Sequence, residues 1–164
     1  MTDPNPSDPG APTPDDLHDW MAIALDEARA ALTHDDVPIG AVVVRLADGV
    51  VVARRHNERE RTGDPTAHAE VLALRDAAAS VGSWRLDGHA LVVTLEPCPM
   101  CAGATLAARV PVVAFGAADP KAGALGSLYH FGSDPRLNHG CRVIHGVREA
   151  EAAEVLQAFF AERR

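Results

Sequence analysis

Residues 89–116, HALVVTLEPCPMCAGATLAARVPVVAFG, contain the stretch that decides the fold. Residues 89–95 are a short apolar run rich in valine and leucine, which is typical of a buried strand. Residues 98–109 are predicted to form a helix, and residues 111–116 a second buried strand. Because the joints between them are short, the two strands are expected to run parallel with a right-handed crossover.

The segments before this unit predict a helix and a hairpin. Residues 39–45 and 50–54 are rich in β-branched side chains and are separated by Ala47-Asp48-Gly49, a turn-forming sequence. Further upstream, apolar residues recur at helical spacing and define one buried stripe, which consists of Leu17, Trp20, Met21, Ala24, Leu25, Ala28 and Leu32.

The remaining elements complete a single domain. Helices are predicted at residues 68–80 and 149–163, a loop rich in Gly, Pro and Asp at 117–136, and a short strand near 141–145. The sum is an α/β domain over residues 17–164, with a mixed five-stranded sheet and helices on both faces.

Residues 1–16 differ in composition from the rest of the chain. They contain five of the twelve prolines, four aspartates and almost no large apolar side chains. Such a segment buries too little apolar surface to offset the entropy lost on ordering. We therefore predict a disordered Pro/Asp-rich N-terminal tail.

Composition limits the location and the partners of the protein. No apolar run approaches the roughly 20 residues of a membrane-spanning helix, and the N-terminus lacks the pattern of a secretory signal, so we expect a cytoplasmic protein without membrane contact. The formal net charge of −8 argues against a general nucleic-acid binder, which is usually basic. It does not exclude an RNA substrate held by a local basic patch.

Two of the three cysteines form a Cys-x-x-Cys pair. In a reducing compartment such a pair indicates metal binding or redox chemistry more than a structural disulfide. Cys98 and Cys101 lie on one face of a helical turn, and Pro99 suits the first helical position. Both sulfurs are therefore expected at a helix N-terminus, where the helix dipole favours the thiolates that bind zinc.

His68 and Glu70 occur in a His-x-Glu pair at the start of another predicted helix. On a regular helix, residues two apart point about 200° from each other. Both can face one metal ion only if His68 lies at the entry to the helix, which Pro65 and the candidate cap Thr66 make plausible.

His68, Cys98 and Cys101 are predicted to bind zinc and to leave the fourth position open, as in catalytic zinc sites. Water at that position has a pKa lowered towards about 7. Glu70 is the predicted proton shuttle, which takes the proton of that water, passes it to a ring nitrogen and later protonates the leaving ammonia. Two other hypotheses stay open, a structural zinc site completed by Cys141, His139 or His130, and a metal-free dithiol.

The chain resembles the bacterial tRNA-specific adenosine deaminases of the cytidine/deoxycytidylate deaminase superfamily over residues 17–164. The most specific stretches are Asp64-Pro-Thr-Ala-His-Ala-Glu70, Val93-Thr-Leu-Glu-Pro-Cys98, Met100-Cys-Ala-Gly-Ala104 and Lys121-Ala-Gly-Ala-Leu-Gly-Ser-Leu128. The resemblance implies a three-layer cytidine-deaminase-like fold with one zinc ion per subunit. It further implies a homodimer that binds a tRNA anticodon stem-loop and converts the wobble adenosine to inosine.

The resemblance also implies contacts with the substrate. Asn57 matches an asparagine that contacts the flipped base, and Ala69 lies inside the His-x-Glu motif at the same site. Asp119 matches an aspartate near the ribose, whose carboxylate can accept a hydrogen bond from a 2′-hydroxyl. Lys121 matches a basic position close to the RNA backbone.

Several residues depart from the family pattern. Ala118 stands where the family often has arginine, and Pro120 stands where the family usually has a small residue other than proline. The pair Asp35-Asp36 is more acidic than the pair that the family often has before Val37-Pro38. These changes weaken the expected attraction to RNA and keep an alternative substrate in view, a free nucleobase or nucleoside of the guanine or cytosine type. A third hypothesis is a catalytically silent zinc scaffold.

Overall fold

The computed structural model describes residues 10–164, and its first helix begins earlier than the sequence predicts. Helix α1 spans Pro14–Ala31. Thr13 caps it, because its hydroxyl accepts from the Asp16 amide while the Asp16 carboxylate accepts from the Thr13 amide. Residues 14–16, which the sequence predicts to lie in the tail, belong to this helix, since Pro14 and the two aspartates after it form a favourable first helical turn. Residues 1–9 of the predicted tail lie outside the described residues.

The apolar stripe of α1 packs against the sheet as predicted, except at its end. The buried residues are Leu17, Trp20, Met21, Ala24, Leu25, Ala28 and Ala31. Leu32 was predicted to be buried but is 45% exposed. Helix α1 ends at Ala31, and Leu32 is the first residue of a 3₁₀ turn, Leu32–His34, that has no buried residue.

The predicted mixed five-stranded sheet is confirmed. The strands are β1 (Gly40–Arg45), β2 (Val51–His56), β3 (His89–Leu95), β4 (Val112–Ala117) and β5 (Arg142–Ile144), in the spatial order β2-β1-β3-β4-β5. Strand β1 pairs antiparallel with β2 and with β3. Strands β3, β4 and β5 are parallel, as the strand–helix–strand unit predicts.

Helices cover both faces of the sheet. The other helices are α2 (Arg59–Thr62), α3 (Ala69–Val81), α4 (Pro99–Ala107) and α5 (Glu149–Ala161). One apolar core joins α3 and α4 to one face of the sheet, and a second joins α1 and α5 to the other. No helix among residues 10–164 is long and apolar enough to cross a membrane.

Gly40 is required where α1 crosses β1. A Cβ atom at this residue would lie 1.9 Å from the carbonyl oxygen of Ala24 and 2.5 Å from the amide nitrogen of Ala28. The backbones of helix and strand are therefore in direct contact, and this contact sets the distance between α1 and β1.

His89, the first residue of β3, is a buried polar group without an evident function. Neither ring nitrogen has a hydrogen-bond partner among residues 10–164. Burial lowers the pKa of the imidazole below its ordinary value of 6.5, and the nearby charge of Arg45 acts in the same direction. The folded protein therefore favours the neutral ring.

We expect His89→Leu to stabilise the protein by about 1 kcal/mol, because it removes buried polar atoms that lack partners. Above pH 6.5 the ring is neutral in both the folded and the unfolded chain, and its burial then lowers the free energy of unfolding least. As the pH falls from 6.5 to the lower pKa of the folded state, only the unfolded chain takes up the proton. The wild-type protein therefore loses stability over this range. Urea unfolding at pH 7.5 and 5.5 should show a stability gap between variant and wild type that widens at the lower pH. A gap that is absent or independent of pH would contradict this account.

Candidate active site at two helix N-termini

His68 lies at the entry to α3, off helical geometry, as its pairing with Glu70 requires. It is the N-cap residue, with extended backbone angles of φ −74° and ψ 148°, and the helix begins at Ala69. The prediction that Thr66 caps this helix is wrong. The amide and hydroxyl of Thr66 instead donate to the Asp64 carboxylate, each at 2.8 Å, which closes the turn before His68.

Cys98 occupies the equivalent position at α4. It is the N-cap residue with an extended backbone, and Pro99 is the first helical residue. Cys101 lies in the first turn of the helix and is fully buried. Two helix N-termini therefore converge, and each presents donor atoms to the same point.

The donor atoms of His68, Cys98 and Cys101 form one cluster. The Nδ1 atom of His68 lies 3.4 Å from the Cys101 sulfur and 3.7 Å from the Cys98 sulfur, and all three donors lie within 4.8 Å of one another. Tetrahedral zinc, with bonds of about 2.3 Å to sulfur and about 2.0 Å to nitrogen, would separate such donors by about 3.5 Å. The cluster therefore fits zinc.

The cluster contains only these three residues among residues 10–164. Cys141, a candidate fourth ligand by its sequence, is buried in the apolar core. The Nε2 atom of His139 faces the carbonyl oxygen of Val110 at 3.1 Å, and His130 precedes the 3₁₀ turn Phe131–Ser133. The donor set favours a site with an open position over a closed structural site.

The electrostatics of the cluster favour an anionic sulfur at Cys98 and a protonated sulfur at Cys101. A hydrogen bond from Cys101 lowers the pKa of Cys98 to about 4, and His68 acts in the same direction. The same bond, together with burial, raises the pKa of the Cys101 thiol. The hydrogen bond with Cys98 also raises the pKa of His68. One thiolate is therefore ready to bind a cation, and the cation must displace the second proton.

Glu70 is a buried carboxyl group beside the donors. It is 4% exposed and lies close enough to His68 and Cys98 for their charges to act on its pKa. Burial raises the pKa of Glu70, which is the adjustment that a general acid–base group needs to work near neutral pH. The structure therefore brings together the three predicted ligands and the predicted shuttle.

A small cavity of about 110 Å³ opens beside His68. Its lining residues are Val37, Ile39, Asn57, Arg59, His68 and Ala69. Asn57, which is 4% exposed, donates to the Val37 carbonyl oxygen and accepts from the Arg59 amide, both at 3.3 Å. Asn57 and Ala69 therefore lie where substrate-binding residues are expected.

Sequence reasoning missed Arg59, whose charge reaches His68 and which lines the cavity. The position of Arg59 depends on Asp36, a fully buried aspartate. The Asp36 carboxylate accepts from the backbone amides of Glu60 and Arg61 at 2.7 and 3.1 Å. Asp36 therefore holds α2 beside the cavity. Arg59 follows Asn57 by two residues in a polar segment, which is the only signal that the sequence offers.

Asp119 and Lys121 lie on a different segment and do not line this cavity. The Asp119 carboxylate accepts from the backbone amides of Lys121 and Ala122 at 3.0 and 3.2 Å, which forms a turn. The loop is tied to the metal-site segment, because the Ala124 amide donates to the Pro97 carbonyl oxygen at 2.9 Å.

Residues 14–117 match the family model of the cytidine and deoxycytidylate deaminase zinc-binding region. The chain is 47% identical over 152 residues to the tRNA-specific adenosine deaminase of Bacillus subtilis, which covers 93% of this chain and 92% of that protein. A solved structure from work on A-to-I editing by tRNA:A34 deaminases superimposes with a TM-score of 0.80 at 47% identity, covering 84% of this chain and 99% of that one. The guanine deaminase of Nitrosomonas europaea superimposes with a TM-score of 0.74 at 27% identity, covering 88% of this chain and 84% of that one.

Proposed function

The chain belongs to the cytidine and deoxycytidylate deaminase family with its zinc-binding region, and on that premise we propose that it deaminates adenosine to inosine at the wobble position of a tRNA anticodon. One observation carries the proposal. The buried Glu70 carboxyl group lies against a three-donor cluster, in a chain 47% identical over almost its whole length to a tRNA-specific adenosine deaminase.

His68, Cys98 and Cys101 would hold the zinc ion, which when bound supplies the Lewis acidity that makes water a nucleophile near neutral pH. Water adds its oxygen to C6 of the adenine ring and ammonia leaves. Glu70 takes a proton from the attacking water and delivers it to the ring nitrogen beside C6. It then takes the proton of the new C6 hydroxyl group and gives it to the leaving amine, which departs as ammonia. The products are inosine and ammonia.

The cavity beside His68 supplies the positioning groups. We propose that Asn57 hydrogen-bonds the edge of the flipped base, while the walls formed by Ile39 and Ala69 exclude water. Asp119 would accept a hydrogen bond from the ribose 2′-hydroxyl, and Lys121, which is exposed, would lie near a backbone phosphate.

The decisive experiment incubates the purified zinc-loaded protein with an anticodon stem-loop that carries adenosine at the wobble position. We expect inosine at that position alone, and none from a stem-loop in which the adenosine is moved one nucleotide. Guanine, adenosine and cytidine are tested alongside. Brisk turnover of a free base or nucleoside, without inosine in any stem-loop, would establish the alternative that the similarity to a guanine deaminase represents.

Arg59 should contribute to RNA affinity as the cation at the cavity rim. We expect Arg59→Ala to raise KM for the stem-loop about tenfold and to reduce the salt dependence of binding by about one phosphate contact. Arg61→Ala is the matched control. Arg61 belongs to the same helical turn but pairs with Glu58 at 3.6 Å and does not line the cavity, so its removal should change KM less than twofold. Equal effects of the two changes would contradict this role.

We also propose that the protein acts in the cytoplasm as a homodimer, in line with the family resemblance. An apolar groove of about 830 Å³ lies between α4 and the segment 131–138, with Trp84 at its edge. A second groove between α3 and α4 shares Trp84, which is 60% exposed. Exposed apolar residues that lie next to one another are typical of an interface between chains.

We expect Trp84→Asp to halve the mass that light scattering measures in solution, because a charge is then buried at the interface. Val50→Asp is the control, since Val50 is also exposed (47%) but lies at the hairpin, away from both grooves. A wild-type protein that is monomeric at micromolar concentration would overturn the dimer.

A further inference from the structure

Glu96 is a buried carboxylate that the reaction described above does not use. It follows the last residue of β3, is 2% exposed, and accepts from the Ser127 hydroxyl at 2.6 Å and from the Ser127 amide at 3.3 Å. Burying a carboxylate is costly unless it is hydrogen-bonded. Both oxygens of Glu96 are bonded to one residue that lies 31 positions further along the chain.

The loop 119–128 is built around this carboxylate. A Cβ atom on Gly123 would lie 1.6 Å from Oε2 of Glu96, so glycine is required for the loop to close over it. The Gly123 amide donates to the Asp119 carbonyl oxygen at 2.8 Å, and the Leu128 amide donates to the Gly123 carbonyl oxygen at 2.9 Å. The loop is therefore a compact turn wrapped around Glu96.

Glu96 lies outside the reacting centre. It belongs neither to the donor cluster nor to the lining of the cavity beside His68. Its connection to the site is through the chain, since Pro97 alone separates it from Cys98 and the Pro97 carbonyl oxygen accepts from the Ala124 amide. Glu96 thus joins the segment that ends at a metal ligand to the loop that carries Asp119 and Lys121.

We propose that Glu96, through Ser127, is a positioning residue that fixes the loop 119–128 against the start of α4 and thereby sets the affinity for RNA. The inference rests on the proposed function, because it assigns Asp119 and Lys121 to nucleotide contacts. Loss of the Glu96–Ser127 pair leaves the donors and Glu70 in place but frees the loop. Binding is therefore weakened, while the chemical step is retained.

The test uses Ser127→Ala, Glu96→Ala and the double variant in the zinc-loaded protein. We expect each single change to raise KM for the anticodon stem-loop about tenfold and to alter kcat less than twofold. The double variant should be no worse than the poorer single variant, because both changes break the same contact. Ser127→Thr, which retains a hydroxyl, should restore most of the affinity.

Amide hydrogen exchange gives a readout that does not depend on activity. The amides of Gly123, Ala124 and Ser127 should exchange at least tenfold faster in Ser127→Ala, while α4 keeps its protection and the zinc content stays at one per chain. If the wild-type protein makes no inosine, the proposed function fails, but amide hydrogen exchange still tests whether the Glu96–Ser127 contact holds the loop 119–128. Unchanged exchange, or a lower kcat or zinc content with unchanged KM, would overturn the inference. Should Glu96→Ala fail to fold, Ser127→Ala decides alone.

Discussion

Glu70→Ala is expected to lower kcat for inosine formation by a factor of about 10³ or more and to leave the zinc content unchanged. General acid–base groups contribute factors of about 10² to 10⁴, and Glu70 is a buried acidic side chain beside the donor cluster, close enough to His68 and Cys98 for their charges to act on its pKa. Zinc is retained, because the three donor atoms belong to other residues. Single-turnover inosine formation and elemental analysis check the two halves of this expectation.

The same substitution should not destabilise the fold. Burial disfavours the charged form of Glu70 and raises its pKa, so its removal relieves a cost and is expected to leave Tm equal or higher. Catalytic groups held in such unfavourable surroundings commonly reduce stability. Glu70→Gln keeps the shape of the side chain but cannot take a proton, and it should be as inactive as alanine. Activity in the glutamine variant would reject proton transfer by Glu70.

Cys101→Ser is expected to remove zinc and activity together. It replaces a fully buried thiol with a hydroxyl, which is a poor zinc ligand at neutral pH, and leaves only His68 and Cys98 as donors. Removal of a buried metal cross-link between α3 and α4 should also lower Tm, because binding energy at such a site is folding energy. Zinc per chain, inosine formation and thermal unfolding should fall in parallel.

Cys141→Ala is the matched control for this change. Cys141 is also buried, but it lies in the apolar core and outside the donor cluster. Its loss should cost about 1 kcal/mol of stability through a small cavity and leave zinc and turnover intact. Equal zinc content in the two variants would mean that the ion is held elsewhere.

The parts of the fold that the sequence predicts best are those in which local pattern and tertiary packing agree. The strand at residues 89–95 has the predicted bounds, and all its residues except the last are buried. The end of α1 shows the opposite case. Spacing alone assigned Leu32 to the buried stripe, but the helix stops one residue earlier, and the backbone geometry that stops it is not encoded in the apolar pattern.

The donors and Glu70 were predictable because their spacing is local and chemically restrictive. The position of Arg59 in the cavity wall and the hydrogen bonds between Glu96 and Ser127 were not predictable, since each depends on contacts between residues that are distant in the sequence. Asp36 reaches α2 over 24 positions, and Glu96 reaches Ser127 over 31. An aspartate or glutamate that is buried by such a contact looks, in a single sequence, like any solvated acidic residue.

The separation of the donors along the chain has a consequence for biosynthesis. His68 and Cys98 are 30 positions apart and reach each other only after α3 has packed and β3 has entered the sheet beside β1. Before these elements have packed, only Cys98 and Cys101 are close enough in the sequence to bind one ion together, and two thiols bind zinc more weakly than the complete donor set. Stable metallation therefore requires α3 and α4 to be packed together first, and we expect zinc to enter the site late in folding.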